Sequence, residues 1–414
     1  MGKSSHFSGQ PLYGQVIKLL DKSKILEISR ENGGERYTKR FNCWIHLEVM
    51  LYAVIMRFDS LREITASLLA EARKLSHLGI TFKIGRSTLA DANQRRPEVI
   101  FEAVYRDLYG RYRHVLSSDS RSRQTPKWMK RLQIIDSTTI TLFSNLLFKG
   151  VGRHPRTGKK KGGIKVHTVI HANEGVPSDI RFTSAATNDS FMLMPSTLHA
   201  GEIIAMDRAY IDYAKLEELT QRGVIYVTKM KKNLSYVLWE DFMWQNQQGL
   251  MEYRIRHVTF HKPIKGGGLI SHHARIISYV DTRKHKVIDL LTNDMDSEPE
   301  EIVAIYRQRW EIELLFKQIK QNFPLKYFYG ESANAIKIQI WVTLIANLLL
   351  MVMQKGLKRQ WSFSGLATMV RINMMYYVDF YSLFNNPEKD WENILAEASE
   401  PPPEPSLFDR GGLS

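Results

Sequence analysis

The stretch Tyr306-Arg307-Gln308-Arg309-Trp310-Glu311-Ile312-Glu313-Leu314-Leu315-Phe316-Lys317-Gln318-Ile319-Lys320 sets the terms for the whole chain. It has neither Gly nor Pro and is rich in helix formers, which predicts a helix. At about 100° per residue, Tyr306, Arg309, Glu313 and Lys320 fall within a ~60° arc, with Lys317 beside them. Ile305, Ile312, Leu315, Phe316 and Ile319 take a neighbouring arc, and Arg307, Glu311 and Gln318 the remaining side. Such a helix has a buried face, a solvated face, and a third face with one carboxylate among cations and a phenol. That third face suits a metal ion held next to phosphates. The alternative is a surface ion-pair stripe with a core tyrosine.

A chain of 414 residues has room for two or three domains, each with its own core. Its 43% apolar and 24% charged residues are those of an ordinary globular protein. The net charge of +15 is not ordinary, and it favours a polyanionic partner: nucleic acid first, anionic membrane second. The single cysteine, Cys43, excludes an intrachain disulfide and a multi-thiolate zinc site, so a reducing cytosol is expected. The N-terminus lacks the apolar run of a signal peptide. The most hydrophobic stretch, Ile338 to Met353, is short of the ~20 residues of a membrane span. Gln339, Thr343 and Asn347 recur in it at i, i+4 spacing, which reads as a core helix with one polar seam, and no membrane partner is expected.

Residues 1–120 read as a helical N-terminal DNA-binding domain, with one strongly apolar helix from Trp44 to Phe58 and a cap at Asp59-Ser60. Near Gly85–Pro97, Ser87 is expected to cap a short helix exposing Asn93, Gln94, Arg95 and Arg96, residue types that suit a DNA groove. A capped surface helix is the alternative. From Arg121 to Lys165 cations dominate and Asp136 is the only acid. It sits in Leu132–Ile140, which reads as a buried strand, where a lone carboxylate is costly unless a cation or metal compensates it. The Gly- and Lys-rich loop with Lys159, Lys160 and Lys161, followed by Lys165, suits a phosphate backbone.

Strands at 165–170 and 178–183, a helix near 190–198, a strand at 202–207, a helix from Tyr213 to Gln221 and a strand at 224–228 follow. Three strands, helix, strand, helix, strand is the order of an RNase H-like core, here its first part at 121–230. Residues 231–287 are strand-like and read as an inserted β subdomain, whose His257, His261, His272 and His273 lack the partners of a metal site. Residues 288–385 complete the α/β core with the helix quoted above. Its first turn lies near Glu298-Pro299, with Ser297 and Glu300 at capping-box spacing. Residues 386–414 read as a polar, Pro-rich, disordered tail.

Three carboxylates stand out: Asp136 within a strand, Asp207 at a strand end, and Glu313 on a late helix. In an RNase H-like core those strands lie side by side and the late helix packs across their ends, so the acids converge. Oxygen-only ligands suit Mg²⁺ or Mn²⁺. Two such ions about 4 Å apart activate a water or 3′-OH and stabilise the leaving oxygen. Without metal, three crowded carboxylates repel, which predicts a weakly structured site.

At these residues the chain resembles the DDE transposases. Asp136, Asp207 and Glu313 match the Asp-Asp-Glu triad, and Tyr306, Arg309, Glu313 and Lys320 match the Tyr-x2-Arg-x3-Glu-x6-Lys signature of the insertion-sequence-four family. Asp207-Arg208-Ala209-Tyr210 is similar to its Asp-Arg-Gly-Tyr, with Ala209 tolerated wherever φ is negative. The resemblance implies cut-and-paste movement of a bacterial insertion sequence, with the three acids holding two metal ions. It implies that Tyr306, Arg309 and Lys320 contact phosphates at the transposon end, and that the enzyme acts on double-stranded DNA as a synaptic homodimer. It also makes Trp239 and Trp244 candidates for stacking a flipped base, against a core or edge-strand role. The competing readings are an RNase H-like nuclease without strand transfer and a DNA-binding repressor without chemistry.

Overall fold

The computed structural model describes residues 5–117, 125–141, 163–185, 187–231, 234–245, 252–263, 268–281 and 285–399. Helices α1 (Leu12–Ile17), α2 (Lys22–Glu31), α3 (Cys43–Met56), α4 (Leu61–Ala70), α5 (Ala72–Ser76), α6 (Arg86–Arg95) and α7 (Val99–Leu116) precede the first strand. Cys43 to Ile55 of α3 is buried on every side, as an all-round apolar helix must be. Asn42 starts it, its side chain accepting from the Ile45 N–H at 3.0 Å. At the next helix Ser60 accepts from the Glu63 N–H at 3.3 Å, and the Glu63 carboxylate accepts from the Asp59 N–H at 2.9 Å.

One mixed sheet has the strand order β3-β2-β1-β4-β5-β9-β8-β7-β6. The strands are β1 (Leu132–Thr141), β2 (Gly163–His171), β3 (Pro177–Ser184), β4 (Ile203–Met206), β5 (Ile225–Lys229), β6 (Val237–Gln245), β7 (Glu252–Pro263), β8 (Leu269–Asp281) and β9 (Lys286–Thr292). β4 pairs in parallel with β1 and β5, and the other ladders are antiparallel. Strand alternation sends Leu132, Ile134, Ile203 and Ala205 into one apolar core and Ile135, Ile204 and Met206 into another. The first core is closed by α9 (Pro299–Gln308), α10 (Trp310–Asn322) and α11 (Ala333–Lys355), the second by α8 (Tyr213–Gln221). Helices α12 (Phe363–Asn373), α13 (Phe380–Asn385) and α14 (Lys389–Ser399) end the described chain.

Several expectations change. The strands of 231–287 extend the core sheet through β9, which pairs with both β5 and β8, so the expected insertion does not fold apart. No helix forms at 190–198, only 3₁₀ turns at Asp189–Met192 and Pro195–Thr197, because Pro195 holds Met194 extended. The helix read at 306–320 is two: the Arg309 N–H turns to the Tyr306 carbonyl at 3.1 Å and separates α9 from α10. Helix α6 starts at Gly85 without a side-chain cap, which leaves Ser87 inside its first turn. Ser297 donates to Asp294 at 2.6 Å instead of capping α9, although Pro299 does open that helix. Residues 389–399, read as tail, are helical.

Helix α11 is longer than its apolar core implies. Its 23 residues are long and apolar enough to cross a membrane, yet 89% of its most apolar 18 residues is buried inside the protein. The polar seam explains its fit. Gln339 donates to the carbonyls of Pro324 and Tyr327, both at 2.8 Å, and accepts from the Tyr329 N–H at 2.8 Å. Asn347 accepts from Gln318 of α10 at 2.8 Å, so the seam ties the core helix to the helix that carries Glu313.

Candidate active site

Asp136 lies on β1, with Oδ1 accepting from the Ser137 N–H at 2.7 Å. In the β1–β4 ladder Ile135 stands opposite Met206, so Asp136 and Asp207 follow at the same level on neighbouring strands. Asp207 directly follows β4 and accepts from the Ala209 N–H at 2.9 Å, closing the turn 207–210. Ala209 is not among the residues with positive φ, so alanine costs nothing there. Glu313 stands in the first turn of α10, which packs across β1.

Arg309 joins these elements. Its Nη1 donates to Asp136 at 3.1 Å and its Nη2 to Glu313 at 2.5 Å, while its guanidinium lies 5.8 Å from the Tyr306 ring centre. Burial pushes Asp136 up to about 6, Asp207 and Glu313 push the same way, and the Ser137 N–H and Arg309 oppose them. Burial works against the charge on Arg309, but Tyr306, Asp136 and Glu313 together raise its pKa. The three acids are therefore one electrostatic cluster with a guanidinium inside it.

They do not line one cavity. Asp136 and Glu313 open on a cavity of about 980 Å³ that Arg57, Lys317, Lys320 and Lys326 also line. Asp207 opens on another of about 900 Å³ with Lys229, Tyr306 and Arg309, and Arg309 stands between the two. Among the described residues, no three His, Cys, Asp or Glu side chains gather closely enough to hold an ion as they stand. The expected weakly structured site is instead a guanidinium-bridged one.

The other sequence candidates divide. Lys317 is exposed on the first cavity, and Lys320 donates to Thr138 Oγ1 at 2.6 Å and to the Thr139 carbonyl at 3.3 Å on β1. Lys165 is not available to a phosphate: it donates to the Thr187 carbonyl at 2.8 Å and to Asp189 at 3.3 Å. Lys159, Lys160 and Lys161 lie outside the described residues. Arg95 is exposed, 3.8 Å from Asp91, but the expected exposure of Asn93 and Arg96 is wrong. Asn93 is buried, 2.8 Å from His46 Nε2. Arg96 is buried too, and it donates to the carbonyls of Gly34 and Phe41. Trp239 is 65% exposed on the edge strand β6 and donates to Thr259 at 2.6 Å, whereas Trp244 is half-buried against Tyr253.

Sequence reading missed Arg57, Lys326 and Asp189. Arg57 ends α3 in the left-handed region at φ 62°, a feature no local pattern announced. It also missed a groove of about 1280 Å³ beside α6, lined by Arg36, Lys39, Arg40, Lys83 and Arg95.

With this geometry in place, the comparisons with known proteins fall on the same residues. Residues 127–349 match the Transposase DDE domain, a span of more than half the chain that contains Asp136, Asp207 and Glu313. The chain belongs to the DDE transposase family. Residues 8–81 match a domain of unknown function. Among its relatives is y4zB of Sinorhizobium fredii, named as a transposase and 29% identical over 268 residues, 65% of this chain and 71% of that protein. Another, named as a transposase for insertion sequence element IS5377 of Geobacillus stearothermophilus, is 24% identical over 322 residues, 78% of this chain and 80% of its own. The piggyBac transposase synaptic complex with hairpin DNA aligns over 96% of this chain and 87% of that one, at 12% identity and a TM-score of 0.43, a likeness too loose to carry argument.

Proposed function

We propose that this chain moves a bacterial insertion sequence by cut-and-paste, binding its terminal inverted repeats and cutting and rejoining DNA through Asp136, Asp207 and Glu313. The observation that carries this is the shared guanidinium: Arg309 holds Asp136 and Glu313 together while Asp207 stands one strand away at the same level. The family match supports a divalent ion, and the donor chemistry suits one, although Arg309 bridges Asp136 and Glu313 and the three acids do not gather around an ion as they stand. The donor set is oxygen only, and burial beside two other acids makes the ionised form of Asp136 unfavourable without a cation. Mg²⁺ or Mn²⁺, as two ions, would supply the Lewis acidity for hydrolysis and strand transfer. Asp136, Asp207 and Glu313 would hold them.

In this reading β1 to β5 with α8 to α11 form an RNase H-like core, and β6 to β8 its insertion. With the carboxylates holding metal, the Arg309 guanidinium would be free to bind a phosphate, next to the Tyr306 phenol and Lys320. Arg57, Lys317 and Lys326 extend the cationic wall of the same cavity. The N-terminal helices bind duplex DNA through the groove of Arg36, Lys39, Arg40 and Arg95. The active form is a homodimer working in the bacterial cytoplasm. Glu313→Gln should abolish cleavage and strand transfer of end DNA in Mg²⁺ while leaving end binding in a gel shift intact; unaltered cleavage would sink the reading.

A further inference from the structure

One acid outside the triad is built into the same site. Asp189 opens the 3₁₀ turn that follows β3, far in sequence from Asp136, and its side chain is 18% exposed. Its Oδ1 accepts from the Ser137 hydroxyl at 2.7 Å, and Ser137 is the residue whose N–H holds Asp136. Ser137 and His167 stand opposite each other in the β1–β2 ladder, as do Thr139 and Lys165. From that strand Lys165 reaches Asp189 at 3.3 Å, and His167 Nδ1 lies 3.5 Å away. The loop itself is pinned from below, because Lys215 of α8 donates to the carbonyls of Ser190 at 2.6 Å and Leu193 at 2.7 Å.

The turn carrying Asp189 packs against the turn 207–210 that begins with Asp207. Tyr210, at the end of that second turn, has a buried hydroxyl whose proton is held more firmly by burial and then by the charges of Asp189 and Asp136, with Ser137 acting the other way. Asp189 is thus paired with a lysine and bonded to the serine that follows Asp136 in β1. Its contacts reach β1 beside Asp136 and, through its own turn, the turn that begins with Asp207.

We propose that Asp189 is a positioning residue of the catalytic centre, acting through Ser137 on Asp136 and through its turn on Asp207. The inference rests on the transposase reading of Asp136, Asp207 and Glu313. Residues that orient metal ligands change affinity by about 10–100-fold when removed.

The test uses the full chain and reads Mn²⁺ binding from the free-ion electron paramagnetic resonance signal, with end-DNA binding and Mn²⁺-dependent cleavage measured alongside. Asp189→Ala should weaken Mn²⁺ binding by about 10–100-fold and raise the Mn²⁺ needed for half-maximal cleavage in step, with end-DNA affinity unchanged. Asp189→Asn, whose amide oxygen still accepts from Ser137, should recover most of the loss. If Asp189→Ala fails to fold, Ser137→Ala carries the test and should weaken Mn²⁺ binding in the same direction. Wild-type Mn²⁺ affinity in a folded Asp189→Ala or Ser137→Ala protein overturns the inference. Asp136→Asn separates the two levels. If it loses Mn²⁺ binding while Asp189→Ala keeps it, only the positioning role falls; if Asp136→Asn also binds Mn²⁺ normally, the triad reading falls with it.

Discussion

Arg309 donates from one nitrogen to Asp136 and from another to Glu313, so removing it leaves two partly buried carboxylates without their counter-charge. Arg309→Ala should cost about 2 kcal/mol of stability in metal-free buffer, below the roughly 3–5 kcal/mol of a fully buried broken pair because Glu313 is partly solvated. Added Mn²⁺ should raise its melting temperature more than that of the wild type, since the ion replaces a missing charge rather than a present one. Differential scanning fluorimetry with and without Mn²⁺ reads both, and equal metal-induced shifts would contradict the bridging role. At this scale the sequence was legible where chemistry repeats at helical spacing within one helix, as at Glu313, Lys317 and Lys320 of α10, which open on one cavity. It was illegible where a partner lies far along the chain. Asp136 is 173 residues from the guanidinium that meets it, and Lys165 looked free for phosphate because Asp189 meets it only through the fold. Arg96 misled for a related reason: its charge is satisfied by backbone carbonyls that no side-chain pattern reveals.

Among the elements, α3 and α11 are both apolar and buried, yet each carries polar groups with definite consequences. Burial pushes Glu48 of α3 up to about 8, with Lys22 and Trp44 acting the other way. Its folded pKa is above its unfolded one, so the fold binds the extra proton and its contribution is complete below about pH 4.5. That contribution is lost as pH rises through about 8. Between those limits wild-type stability should therefore fall with pH more steeply than that of Glu48→Gln, as urea midpoints at pH 5 and pH 8.5 would show; parallel declines would contradict it. In α11, Gln339→Leu strands the Tyr329 N–H and the carbonyls of Pro324 and Tyr327 away from water. A loss of about 2–4 kcal/mol in denaturant unfolding is expected, because unmet buried groups cost more than a made bond gains. The seam at Gln339, Thr343 and Asn347 was readable as a polar stripe on an apolar helix, whereas its partners were not. The division of 306–320 at Arg309 was also hidden, because both halves have helix-forming composition and no Gly or Pro marks the break.

For the whole molecule, strand order carries the strongest consequence. The ladder from β5 to β9 makes one sheet of what reads along the chain as a core and an insertion, and alternation alone gives no sign of which edge a strand joins. The N-terminal helices likewise share one continuous apolar core with α11. A fragment starting at residue 121 should therefore expose that face and aggregate, whereas the full chain stays monodisperse in size-exclusion chromatography; a well-folded fragment would show that α11 does not need the N-terminal helices to cover it. Binding of end DNA should fall steeply with salt, and Arg36→Ala combined with Arg40→Ala should flatten that slope by about two charges. Asp207 bears hardest on the idea that three acids serve one metal centre, since it opens on a different cavity from its two companions. Asp207→Cys replaces oxygen with sulfur, a ligand that Mg²⁺ refuses and Mn²⁺ accepts more readily. Cleavage of end DNA by Asp207→Cys should vanish in Mg²⁺ and return in part in Mn²⁺, while wild-type cleavage rates in Mg²⁺ would remove Asp207 from the centre.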